Sequence, residues 1–163
     1  VTEGRERTHY WQDPKAAAAA GLTMDGLPFL QAMIAGELPP PPIGDTLGYT
    51  LREVEKGRAV FEFEASEFHY NPIGSVHGGV YATLLDSATG CAVHSMLSAG
   101  DRYTTLDLTV KFLRGITADT GPLVCEGTVI HLGRQTALAE ARLLGKDDKL
   151  YAHATSSLMI FRP

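Results

Sequence analysis

Basic residues are outnumbered in this chain, and cysteines are scarce. Fourteen lysines and arginines against nineteen aspartates and glutamates leave a formal net charge of -5. That balance argues against a nucleic-acid surface, while leaving room for a local basic patch that holds a phosphorylated ligand. The two cysteines, Cys91 and Cys125, match no metal or redox spacing, so reduced, buried thiols in a cytoplasmic protein are expected. No apolar run approaches the roughly 18–20 residues that a bilayer span needs. No basic segment followed by an apolar one opens the chain, so neither a membrane anchor nor a secretory signal is expected. An initiator Met is also lacking, and the natural start is expected upstream. The absence of a Gly-x-Ser-x-Gly elbow disfavours serine-hydrolase chemistry.

What is present is ordinary globular material. With 44% hydrophobic and 20% charged residues over 163 positions, one domain with a short appendage is expected. Residues 1–44 read as that appendage. It holds a charged tail, the run Ala16 to Ala20, and a helix over 22–38 whose Leu27, Leu30, Met33 and Ile34 fall at helical spacing. Prolines 39–42 should end the helix and act as a stiff connector. The main domain, 45–163, begins with two strand patterns, 46–55 and 58–65, around a Lys56-Gly57 turn. A loop over 67–76 leads to the only long non-alternating stretch of the domain, 78–97, a helix rich in small residues. Four strands finish the chain; in the first, Leu106, Leu108, Val110 and Phe112 alternate with Asp107, Thr109 and Lys111. Strands in succession without intervening helices favour an α+β fold with an antiparallel sheet, whose face should bury the long helix.

The chemistry-bearing stretch runs from Phe68 to Gly79, followed by Asp86 on the helix. Gly78 and Gly79 at a helix start leave backbone N–H groups uncovered, without intrahelical partners, at the positive end of the helix dipole. Such groups can hold a carbonyl oxygen that turns negative during acyl transfer. The Asn71 amide could orient that carbonyl or a water. Asp86 sits among Leu84, Leu85 and Ala88, where a carboxylate is costly unless paired or put to use. Gly78 and Asp86 are eight residues apart on one helix, hence about 12 Å along its axis. Both cannot touch one scissile carbonyl, so a site that uses both must be shared across a homodimer interface.

The pattern Asn71-Pro72, Gly74, His77-Gly78-Gly79 and Asp86 resembles the signature of the hotdog-fold acyl-CoA thioesterase superfamily, in its phenylacetyl-CoA-thioesterase-like branch. The likeness covers roughly residues 45–162, including the strand from Thr105 to Arg114 and the turn His131-Leu132-Gly133-Arg134. The resemblance implies a hotdog fold, with a six-stranded antiparallel sheet wrapped around a long central helix. It also implies a homodimer or homotetramer with its site at the subunit interface, an acyl-CoA substrate and no cofactor. By residue, it implies that Asn71 and the Gly78 amide bind and polarise the thioester carbonyl. Asp86 from the partner subunit would activate water, and Thr104, with Thr105 as the near alternative, would place it. His77, Gly79 and Thr105 would line the substrate. An Asp where some relatives carry Glu leaves room for a water and favours general-base hydrolysis over a covalent anhydride.

Each residue also has a plainer reading. Asp86 could be a helix acid with a local partner, Asn71 a turn residue before Pro72, and the glycines helix-entry and packing positions. His77 could bond the loop, and Thr104 and Thr105 could simply form strand. Lys111, Arg114 and Arg134 could meet CoA phosphates, or equally be solvated strand ends. Two other functions compete: a hydratase or dehydratase, which needs a poised His, and a non-catalytic acyl-CoA-binding protein. No His occupies the Asp86 position, which weakens the first; Asn71 and Asp86 together weigh against the second.

Overall fold

Asp13 opens the first helix by accepting the Lys15 N–H at 2.9 Å, and Pro14, which has no N–H to leave unpaired, takes the first turn. A computed structural model describes residues 3–163. The alanine run forms α1 (Pro14–Gly21) and buries Ala17. The expected single helix over 22–38 is shorter, α2 (Gly26–Ile34). Its first residue is pressed against the end of the long helix: Gly26 N–H donates to the Leu97 carbonyl at 2.9 Å, and a Cβ there would overlap the His94 carbonyl.

The proline connector needs correcting. Pro42 begins a third helix, α3 (Pro42–Leu47), which ends at Gly48 with φ of 74°. Proline suits a first helical turn and glycine a left-handed helix end. Residues 46 and 47 therefore belong to a helix rather than to the first strand.

The strands are β1 (Tyr49–Glu55), β2 (Arg58–Glu64), β3 (Arg102–Phe112), β4 (Pro122–Leu132), β5 (Thr136–Leu144) and β6 (Leu150–Phe161). They form one antiparallel sheet in the order β1-β2-β4-β5-β6-β3. The long helix, α4 (Gly78–His94), lies across one face of it. Leu84, Leu85, Ala88 and Ala92 of the helix are fully buried, as are Cys125, Ala141, Leu143, Ala152 and Ala154 of the sheet. Small side chains on both sides bring the backbones close. Gly127 is the extreme case, because a Cβ there would overlap the Ala88 carbonyl. Among the described residues no helix is long and apolar enough to cross a membrane.

The two sheet edges differ. β1 is short, carries Arg52, Glu53 and Glu55, has a bulge between Leu51 and Glu53, and packs against α2 and α3. Those features discourage strand addition. β3 is eleven residues long and has no strand partner on its outer side among the described residues, with Leu106 and Phe112 exposed.

Candidate active site

Asp86 sits mid-way along α4 with one side chain as its partner. Its Oδ1 accepts the Thr105 hydroxyl at 2.8 Å, and Oδ2 takes no hydrogen bond among the described residues. The carboxylate is half-buried, so a water can reach it while protein covers one side. No cation pairs with it among the described residues.

Strand register explains why Thr105, rather than its neighbour, reaches the acid. Thr105 pairs with Leu158, which is fully buried against the helix, whereas Thr104 pairs with Met159 on the outer face and is exposed. A bulge between Thr105 and Asp107 leaves Leu106 as the extra residue, 52% exposed. Bulges commonly re-aim a side chain beside a functional site. The expected even alternation of Leu106 with Leu108 therefore breaks here, and Thr104, expected to place the water, is not brought to Asp86.

At the N-terminal end of α4, His77 caps the helix. Its Nδ1 accepts the Gly79 N–H at 2.9 Å. That leaves the Gly78 N–H as the amide without a partner among the described residues. Gly78 borders an open groove of about 270 Å³ shared with Ser75, Phe112 and Arg114, and a Cβ on it would crowd the Phe112 ring at 3.2 Å. Glycine leaves this amide uncovered without displacing that ring.

The loop before the helix is tightly self-bonded. Asn71 Oδ1 accepts the N–H groups of Ile73 at 3.0 Å and Ser75 at 3.3 Å, and its Nδ2 donates to Ser75 Oγ at 3.2 Å. The backbone of Asn71 also bonds Ser75, at 2.7 Å. Asn71 is thus the organiser of its own turn, with one amide hydrogen left over. His69 anchors the same loop from beneath, its Nδ1 accepting the Ser66 N–H at 2.9 Å and its Nε2 facing the Leu47 carbonyl at 2.7 Å. Because Nδ1 accepts, the ring is neutral with its proton on Nε2. Burial, and then the charge of Arg7, hold its pKa below the ordinary value.

The structure adds residues that sequence reasoning did not single out. Tyr49 on β1 shares a 3.0 Å hydrogen bond with Ser87, next to Asp86. Tyr103 lies over Gly90, where a Cβ would stand 3.3 Å from its hydroxyl, and its ring is tilted against that of His94 with ring centres 5.3 Å apart. Burial drives the Tyr103 phenol far above its ordinary pKa, so it stays neutral. Gly90 was the available signal: a glycine inside a helix costs about 1 kcal/mol relative to Ala and implies a close neighbour.

Arg114 is occupied by the Leu150 carbonyl at 3.1 Å, and Lys111 is exposed. In outline, the chain presents a half-buried carboxylate at one place and a free helix-terminal amide about 12 Å along the same helix.

Comparison with known proteins bears on what this arrangement is for. A sequence profile of the Thioesterase superfamily matches residues 73–152, which includes Gly78, Asp86 and Thr105. A 1,4-dihydroxy-2-naphthoyl-CoA hydrolase of Listeria monocytogenes is 27% identical over 106 residues, covering 65% of this chain and 85% of the relative. Among solved structures, a phenylacetic acid degradation-related protein of Ralstonia eutropha JMP134 is 32% identical with a TM-score of 0.72, covering 80% of this chain and 98% of that one. The PaaI protein of the E. coli phenylacetic acid degradation operon, at 23% identity and a TM-score of 0.72, shares the fold over 85% of this chain and 96% of its own.

Proposed function

We propose that this chain, which belongs to the thioesterase superfamily and is a thioester hydrolase, acts on acyl-CoA thioesters and releases a free acid and CoA. The observation that carries the reading is the Asp86–Thr105 pair, a half-buried carboxylate held by one hydroxyl and otherwise free to meet water. In this reaction Asp86 takes a proton from water as the water oxygen bonds to the thioester carbon. The carbonyl oxygen becomes an oxyanion, stabilised by the Gly78 N–H of the partner subunit. Collapse breaks the carbon–sulfur bond, and the proton held by Asp86 passes to the departing thiolate.

Two features support a shared site. The acid and the free amide of one chain are too far apart for one carbonyl. The open β3 edge, eleven residues long with exposed Leu106 and Phe112, is the kind of surface a second copy covers. The capping role of His77 weighs against a hydratase, since its acceptor nitrogen is already used by Gly79.

Asp86→Asn tests the reading. Removing a general base costs about 10²- to 10⁴-fold in rate, so thiol release from a panel of acyl-CoAs should fall by that factor. Unchanged turnover in this variant removes Asp86 from the chemistry.

A further inference from the structure

On one side of α4 the residues Asp86, Ser87, Gly90, Cys91 and His94 form a single stripe, the spacing that puts side chains on one helical face. The sheet does not cover all of it. Over the Cys91 end, α2, α3 and the start of β1 enclose a chamber of about 110 Å³. Its walls are chiefly Leu30, Met33, Tyr49, Leu51, Phe61 and Cys91. Cys91 lies five residues beyond Asp86, about 7.5 Å further along the axis. Tyr49, on the chamber wall, hydrogen-bonds Ser87, the residue next to Asp86, at 3.0 Å.

We propose that this chamber is the acyl-binding subsite, and that it selects a short aliphatic acyl group over long chains and over two fused rings. The proposal rests on the hydrolytic reading of Asp86. Its occupant follows from position and size. An acyl chain whose carbonyl lies at Asp86 and which runs along the stripe enters the chamber. An apolar cavity of about 150 Å³ takes up benzene; this one, at about 110 Å³, is smaller. It therefore accommodates about four to six carbons, with one ring at the upper limit. The lining suits such a group. Burial, and then the nearby Asp86, push the Cys91 thiol up to about 12, so it stays neutral and behaves as an apolar wall. The roof, α2 and α3, lies outside residues 73–152 that match the superfamily profile.

The test measures kcat/KM for acetyl-, hexanoyl-, decanoyl- and 2-naphthoyl-CoA in the wild type, Met33→Ala and Met33→Trp. A single methylene that does not fit an apolar pocket changes kcat/KM by about tenfold or more. Hexanoyl-CoA should therefore exceed decanoyl- and naphthoyl-CoA by at least ~10-fold in the wild type. Met33→Ala should raise the decanoyl-to-hexanoyl ratio by about tenfold, and Met33→Trp should lower the hexanoyl-to-acetyl ratio by a similar factor. A flat wild-type profile, or ratios that neither variant moves, overturns the subsite while leaving hydrolysis intact. If no thioester is turned over, calorimetric binding of S-ethyl-, S-hexyl- and S-decyl-CoA thioethers separates the two readings. Tightest binding of the hexyl analogue upholds the chamber although hydrolysis fails; equal binding of all three overturns the chamber as well.

Discussion

Asp86 and Thr105 meet at 2.8 Å across an element boundary, helix to strand. A hydrogen bond to a charged group is worth about 1.5–3 kcal/mol, and about 1.4 kcal/mol is tenfold in rate. Thr105→Val should therefore lower kcat/KM by about 10- to 100-fold. Thr104→Val, one residue away on the solvent side, should stay within about twofold. Steady-state kinetics of the two variants settles which threonine serves the acid; a larger loss in Thr104→Val would reverse the assignment. That Asp86 needs a partner or a use was legible in the sequence, because a carboxylate among Leu84, Leu85 and Ala88 is costly without one. Its partner was not, since Thr104 and Thr105 differ only in the face they occupy, and a bulge sets that parity.

Elements meet closely in this fold, and two contacts carry consequences. β4 touches α4 at Gly127, where a side chain would strike the Ala88 carbonyl. Overpacking against backbone costs about 1–3 kcal/mol and occasionally more. For a chain of this size each kcal/mol moves Tm by about 2–4 °C. Gly127→Ala should accordingly lower Tm by about 2–12 °C, read by differential scanning calorimetry; a shift under about 2 °C would mean that the helix recedes freely.

The second contact is His69, which ties the loop over 66–77 to α3 through Ser66 and Leu47. Its folded pKa lies below the unfolded value of 6.5, because burial disfavours the charged ring. The unfolded chain therefore takes up the proton first. The stabilisation is fully present above pH 6.5 and is lost as pH falls through the lowered folded value. Burial shifts His94 in the same direction. Lowering pH from 7 to 5 should depress Tm more steeply in the wild type than in His69→Gln; parallel slopes would show that His69 does not report pH. The helix and strand order was readable from periodicity. The α3 turn was not, because a proline run that reads as a stop also suits a helix start.

At the scale of the whole molecule, the free Gly78 amide and the Asp86 carboxylate share one helix but lie about 12 Å apart along it. Mixing Asp86→Asn with Asn71→Ala, each expected to lose activity alone, should restore it after subunit exchange. In a random two-fold symmetric dimer population, half the dimers are mixed and each carries one intact site, so about a quarter of wild-type activity is expected. Confirmed exchange with no recovery would place acid and loop in the same chain and end the shared-site account. Asn71→Ala also loosens the turn that Asn71 organises, so its own melting curve belongs beside the kinetics.

Taken alone, the amino-acid order determined the succession of the six strands and the long helix, the costly placement of Asp86 and the glycine-rich helix start, since each follows from local spacing and from the cost of placing a charge among apolar neighbours. Tertiary structure decided which threonine faces the acid, which of two adjacent amides stays free, and how α2 and α3 roof a chamber over Cys91. Those outcomes depend on register and on the approach of segments distant in the chain. Local spacing carries no record of either.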